Sequence, residues 1–466
     1  MADQAKFLEG SLLRHIAVMS ITSSVGLMAV FAVDFVDMIF ISMLGKAELA
    51  AAVGYAGAIL FFTGSFGIGM AIACGAQVAR ALGEGDPALA QQRATSSLIY
   101  GFGFGAVFAA VVWLNLTTLV SLLGATGETR DLAVLYMQII LPSLPVLLVG
   151  IVGGAILRAH GDARRSMNVL IIGGVVNAVL DPILIFGLNL ELMGAALASI
   201  AARFTIAGLA LSAIHKHHGG FGQPSVGTLA RDFRPVFAIA IPAILTQLAT
   251  PVGQAYVTRA MAEYGEEAVA GMAIVGRLTP VAFAIIFALS GAVGPIIGQN
   301  AGARNAERVR GTFNEALLFT LGVTVIVSLA LFLLRGPLSL LFQLDDGSIA
   351  QTLVFLFAGP LSLLYFFNGV LFVANAGFNN LGHPFYSTMT NWGRHTLGTI
   401  PPVMLGAWLF GAPGVLIGQA AGGVIFALIA FTLARRVIAE TEGDAPMPRE
   451  PFARQARLMN LFHHRR

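Results

Sequence analysis

Charge is what this chain has least of. Only 11% of its 466 residues are Asp, Glu, Lys or Arg, where a soluble domain carries about a quarter. So little charge cannot cover a water-facing surface, which excludes an ordinary soluble domain and leaves lipid as the solvent. A single cysteine, Cys74, excludes an internal disulfide and leaves the redox compartment unread. The net charge of +3 is small and confined to loops and tail, so nucleic acid is not an expected partner. No GxSxG, HExxH, P-loop or zinc spacing occurs, which argues against an enzyme, a bound cofactor and a self-contained ATP-driven pump. The opening residues MADQAKFLEGSLLRHIAVMS have acids before the apolar run and no short h-region with a cleavage site, so no signal peptide is expected.

Apolar residues are abundant: 57% of the chain is hydrophobic and the mean hydropathy is +0.82. A spanning helix needs about 20 mostly apolar residues. Twelve segments meet that length, near residues 13–43, 47–78, 95–123, 131–157, 165–188, 192–214, 236–261, 267–297, 312–343, 349–378, 385–410 and 414–437. The connections alternate in charge. One side holds Arg80, Arg93, Arg158, Arg164, Arg165, Lys216, Arg231, Arg234, Arg304, Arg308 and Arg310; the other holds only Lys46, Arg130, Arg259 and Arg335. The positive-inside rule then puts both termini in the cytoplasm. The expected fold is an all-α integral membrane protein of twelve transmembrane helices in two pseudo-symmetric six-helix bundles. The bundles would occupy 1–214 and 235–440, joined by a cytoplasmic linker at 215–234 and followed by a basic cytoplasmic tail at 441–466. His215, His217 and His218 fall in the linker and read as solvated; His463 and His464 end the tail.

The halves repeat at a shift of about 220 residues. LRAHGDARRS (157–166) lies over FNNLGHPFYS (378–387), LDPILI (180–185) over IPPVML (400–405), and MGAALAS (193–199) over PGVLIGQ (413–419). The spans are equal in number, so the repeat is parallel, about an axis along the membrane normal, as suits alternating access. The acids do not repeat. Asp34, Asp37 and Asp181 lie deep in apolar segments, and their counterparts are Gln254, Val257 and Pro401. A carboxylate in hydrocarbon costs roughly 2.5–3.5 kcal/mol on insertion scales. A fold requirement would appear in both copies, so the three acids read as functional.

Asp34 and Asp37 are three residues apart and share a helix face. Two carboxylates so close in low dielectric resist ionising together, which is what proton coupling needs. Asp181 precedes Pro182, which has no N–H and frees the Ala178 carbonyl. Asn177 lies one turn earlier on the same face, positioned to donate to Asp181 or to contact a cation. Tyr136, Gln138 and Ser199 are further polar candidates for a substrate-binding cluster, though Tyr136 and Ser199 also suit helix packing. Arg203, Arg277 and Arg394 fall within spans, where pairing with an acid competes with packing or snorkelling.

These residues resemble the multidrug and toxic compound extrusion family. VDMIFISMLGKAELA (36–50), ILRAHGDARRSM (156–167) and NAVLDPILIFGLNLELMGAALAS (177–199) look like its first-span, fourth-loop and fifth-to-sixth-span signatures, and the resemblance runs over roughly 10–440. One group of the family has acids in the seventh and tenth spans, where this chain has Thr250 and Asn368. The DNA-damage-inducible branch has acids in the first and fifth, which Asp37 and Asp181 match. An Asn common late in that branch's fourth span is Gly153 or Gly154 here.

The resemblance implies a monomeric multi-pass antiporter of the bacterial inner membrane, expelling small organic, often cationic, compounds in exchange for protons. Na⁺ at Asp37, Asn177 and Asp181 is the other coupling ion it allows. A flippase for lipid-linked precursors, of the same superfamily, is the alternative; it predicts basic residues in a central cavity.

Overall fold

A computed structural model describes residues 5–441; the rest of the basic tail, including His463 and His464, lies outside them. Among the described residues are seventeen α-helices and no strand. The chain divides into two compact units. One comprises Val25–Ala240 with the stretch ending at Lys6, the other Phe7–Ser24 with the chain from Ile241 on.

The first unit holds α1 (Leu12–Met43) from Val25 onward, α2 (Ala47–Gly83), α3 (Pro87–Leu114), α4 (Leu116–Leu122), α5 (Gly127–Ile140), α6 (Leu144–Ala159), α7 (Ala163–Pro182), α8 (Glu191–His217) and α9 (Val226–Ala262) as far as Ala240. Its main packing pairs are α2 on α6, α7 on α8, and α6 between α3 and α8. The first turns of α9 are tied to this unit by polar contacts. Gln77 Nε2 donates to the Pro235 carbonyl at 3.2 Å, Tyr100 donates to the Leu229 carbonyl, and the buried Asp232 carboxylate accepts from Gln92 and Ser96.

The second unit holds the rest of α9, then α10 (Glu266–Ala282), α11 (Ala284–Gly302), α12 (Ala306–Leu341), α13 (Ile349–Leu356), α14 (Ser362–Asn380), α15 (Pro384–His395), α16 (Ile400–Phe410) and α17 (Ala412–Ala439). Here the chain's opening is tied down in the matching way. The buried Phe7 donates its N–H to Gln299 Oε1 at 2.9 Å, and its carbonyl accepts from Arg308 Nη2 at 2.8 Å.

Among the described residues, eleven stretches are long and apolar enough to cross a membrane. The expected span 385–410 is not among them, because it breaks between α15 and α16. Side-chain placement agrees with a lipid solvent. On α12 the exposed face carries Leu318, Leu321, Val325, Ile326, Leu329 and Leu333, while Thr320, Thr324 and Ser328 are buried. The two threonines return their hydroxyls to the Ala316 and Thr320 carbonyls at 2.6 and 2.8 Å. Apolar outside and small polar groups inside, the two threonines satisfied within their own helix, is the pattern that lipid selects.

One turn recurs six times among the described residues, at Gly124–Ala125, at Gln343–Leu344 and at four further junctions. At Gly85–Asp86, Gly161–Asp162, Arg304–Asn305 and Gly382–His383 the first residue is left-handed, with φ of 75°, 76°, 57° and 90°. The second donates its N–H five residues back, to Ala81, Leu157, Asn300 and Phe378, closing a Schellman cap. Asp86, Asp162 and Asn305 then cap the next helix with their side chains. The repeat visible between halves is thus echoed within each half.

Helix α17 touches α16 and the break before it backbone to backbone. A Cβ placed on Gly422 would lie 1.2 Å from the Gly398 carbonyl oxygen, and one on Gly414 1.8 Å from that of Gly406. Neither carbonyl can yield without moving a helix. Gly422→Ala is therefore expected to lower thermal stability in detergent by several degrees or to abolish folded yield. Gly322→Ala on α12, where nothing lies within 4 Å, is the control, expected to be neutral or stabilising by up to about 1 kcal/mol. Equal melting temperatures for the two variants would refute the close-contact reading.

Candidate functional site

Three of the sequence candidates meet inside the first unit. Asn177 Nδ2 donates to Asp37 Oδ1 at 3.0 Å and to Asp181 Oδ2 at 2.7 Å. Both amide hydrogens are used, one on each carboxyl. The Asp37 and Asp181 carboxyls also lie within hydrogen-bond reach of each other. Asp181 is fully buried, Asn177 is buried, and Asp37 is half-buried.

Local sequence sets this geometry. Asn177 and Asp181 sit one turn apart, so their side chains stack along one face of α7. Helix α1 reaches them because small residues let it approach: a Cβ on Gly174 would come 2.9 Å from Val33, and one on Gly26 3.3 Å from the backbone of Met167. Pro182 ends the α-helical ladder, and the chain continues in a wider five-residue turn, Ile183–Gly187. Such turns gather at functional positions. Gly194 of α8 packs onto the backbone of that turn, with room for no side chain.

The electrostatics favour one positive charge at this group. Asp181 Oδ1 is buried with no donor, a costly state for a carboxylate oxygen. Two full negative charges this close repel, by about 4 kcal/mol at 4 Å and an effective dielectric near 20. A proton shared between the carboxyls removes that repulsion. So does a small cation held between the Asp37 and Asp181 carboxylates. Among the described residues no group of three or more His, Cys, Asp or Glu forms a metal site.

The other candidates are placed differently. Asp34 is exposed and makes no hydrogen bond or ion pair among the described residues. Tyr136 is buried, with its hydroxyl against Ser199. Gln138, two residues on and so on the opposite helix face, is exposed; its backbone carbonyl accepts from the Trp113 indole at 3.3 Å. Among the described residues Arg203 meets no acid. It donates to the Ile140 carbonyl at 3.1 Å and Ser143 Oγ at 2.8 Å, closing the 3-10 turn between α5 and α6.

The reading of all three linker histidines as solvated is corrected at His218. That side chain is buried, lies tilted against His160 with ring centroids 4.5 Å apart, and meets Asp162 Oδ2 at 3.1 Å. Helix α8 simply runs on to His217 and carries the next residue back to the protein. Burial opposes ionisation of Asp162, but His218 and Arg165 hold its carboxyl well below the usual carboxylate range.

An all-helical, multi-pass membrane protein with bridged carboxyls in its interior is of the kind that moves solutes across a bilayer. The comparisons give the family. The MatE family model matches twice, at residues 23–183 and 242–402, two copies at the shift of the internal repeat. The chain belongs to the MatE family of membrane transporters. It is 26% identical over 446 residues, 94% of this chain and 97% of the relative, to a FAD transporter of Shewanella oneidensis. It is 29% identical over 280 residues, 59% of this chain and 60% of the relative, to multidrug export protein MepA of Staphylococcus aureus. Its fold is similar to that of the Vibrio cholerae MATE transporter VcmN in the bent form, with a TM-score of 0.87 at 24% identity, covering 92% of this chain and 98% of that one.

Proposed function

We propose that this protein is a secondary antiporter, exporting small organic molecules in exchange for protons through the Asp37–Asn177–Asp181 group, with Na⁺ as the other ion those oxygens suit. The unpaired Asp181 Oδ1 carries the reading. The FAD transporter and MepA support an organic substrate. The alternating loop charges support a bacterial inner-membrane protein with both termini cytoplasmic, and the match of Asp37 and Asp181 supports the DNA-damage-inducible branch. The bundles before and after the 215–234 linker act as the two moving parts of a monomer, with the coupling acids in the first.

In this mechanism, a proton entering from outside neutralises the carboxyl pair and weakens its hold on the substrate-loaded arrangement. Return to the cytoplasmic side releases the proton and restores the charge. The ion works only through a difference in its affinity for the two states. A potential of 100 mV adds about 2.3 kcal/mol for each charge moved, enough for roughly fiftyfold accumulation per charge. The test is proteoliposomes loaded with a fluorescent organic dye and subjected separately to a pH jump and a sodium jump. Efflux is expected to follow the pH jump and to collapse with a protonophore. Equal dye movement with and without either gradient overturns the proposal.

A further inference from the structure

The second unit has a polar centre of opposite sign. Arg394 lies in the last turn of α15, directly before the break at residues 396–399. Its guanidinium donates through Nη2 to Asn368 Oδ1 on α14. That is its one side-chain hydrogen bond among the described residues, and no carboxylate pairs with it. The titratable group that acts on it is Tyr365, whose ring stacks on Phe283 with centroids 4.1 Å apart. The side chain is half-buried, so Nε and Nη1, which no described acceptor takes, face open space. Gly423 of α17 borders that space: a Cβ there would come 3.7 Å from Nε.

The backbone around the break is already satisfied. Thr399 Oγ1 donates to the Arg394 carbonyl at 2.8 Å, and Gly398 N–H donates to the Gly393 carbonyl at 2.8 Å. The free donors are therefore not needed to repair the helix. The C-terminal dipole of α15 favours a cation there but occupies none of its N–H groups. Broken helices at membrane depth are tolerated where they line a cavity, and in transporters they commonly form the binding site. In the aligned span of the first half the break carries Asp181; here it carries Arg394.

Resting on the transporter reading above, we infer that Arg394, with Asn368 setting its plane, is the receptor for an anionic group, carboxylate or phosphate, on the transported molecule. The guanidinium fork suits such groups bidentately. The exported class is then organic acids or zwitterions rather than cations alone, and Gly423 leaves room for the acid group.

Equilibrium binding in lipid nanodiscs without any ion gradient tests this separately from coupling. The probes are carboxyfluorescein, an anion, and ethidium, a cation. Arg394→Gln is expected to lower the anion-to-cation affinity ratio at least tenfold, with Arg394→Lys intermediate. Asn368→Asp, which keeps the guanidinium but gives it an internal counter-ion, is expected to lower the ratio as much. A ratio within twofold of wild type in both Arg394→Gln and Asn368→Asp overturns the inference, as does a parallel loss for both dyes. Phosphatidylglycerol nanodiscs are compared with phosphatidylcholine ones. Anion binding equal in both supports a substrate group, whereas displacement by phosphatidylglycerol makes a lipid headgroup the occupant and overturns the substrate assignment. If wild type binds carboxyfluorescein but no gradient drives transport, the antiport proposal fails and this one stands.

Discussion

Asp181→Asn is expected to reduce ion-driven efflux at least tenfold in vesicles while leaving a folded protein that still exchanges dye for dye. The substitution keeps the shape of the side chain and changes its chemistry. Asparagine holds no charge to be neutralised, so the interior no longer distinguishes the ion-loaded from the ion-free state. The Asn177 amide, now facing a neutral neighbour, keeps its bond to Asp37 Oδ1. Asp37→Asn is expected to do the same from the other side. The double variant should be no worse than either single one, because two groups sharing one amide and one proton act as a unit. Asp34→Asn is the contrast. Asp34 is exposed and has no hydrogen bond to either member of the bridge among the described residues, so its removal is expected to change the rate by less than about threefold. The measurement is initial efflux under an imposed pH gradient, set beside dye exchange at zero gradient. Wild-type rates and ion stoichiometry in both Asp37→Asn and Asp181→Asn would remove the carboxyl pair from the mechanism.

How much of this was legible in the sequence depends on what each signal measured. Hydropathy reports the solvent of a segment, and lipid is a demanding solvent, so the spanning segments could be read directly. It does not report continuity. The segment 385–410 has the length of one span, but its first half, FYSTMTNWGRHT, is polar and the chain breaks at residues 396–399, where Gly398 closely approaches Gly422. Spacing reports helix faces. The four-residue step from Asn177 to Asp181, with Pro182 after it, located two members of the bridge, and the third came from asking which acids lack a repeat partner. Faces also separate Tyr136 from Gln138, two positions apart, and the separation is visible only once the helix is known to be continuous through both. What the sequence hid most completely was burial beside loops. Asp232 reads as part of a basic linker, and His218 as one of a solvated cluster. Both are buried, because helices α8 and α9 extend past the apolar runs that announce them and bring polar residues against the protein.

That hidden acid supports the second large expectation. Asp232 has no exposed surface, and its carboxylate accepts from Ser96 Oγ at 2.7 Å and Gln92 Nε2 at 2.9 Å. It also pairs with Arg93 Nη1 at 3.1 Å. Ser96 and Gln92 thus satisfy one carboxylate oxygen, while Arg93 meets the other as a charge pair without a hydrogen bond. Deleting one member of such a set leaves the others buried and unpaired, which typically costs about 3–5 kcal/mol. Asp232→Ala is expected to fall in that range, seen as a large drop in the melting temperature of the purified protein in detergent. Asp232→Asn, which keeps the hydrogen bonds but strands the guanidinium, should lose less. The decisive variant removes both charges. Replacing an ion pair by apolar side chains of similar size is often neutral, so Arg93→Met combined with Asp232→Leu is expected to recover much of what Asp232→Ala loses. If the double change is as damaging as the sum of the single ones, the pair is not what holds the start of α9 to α3. The Tyr100 and Gln77 contacts to the Leu229 and Pro235 carbonyls would then have to do so by themselves.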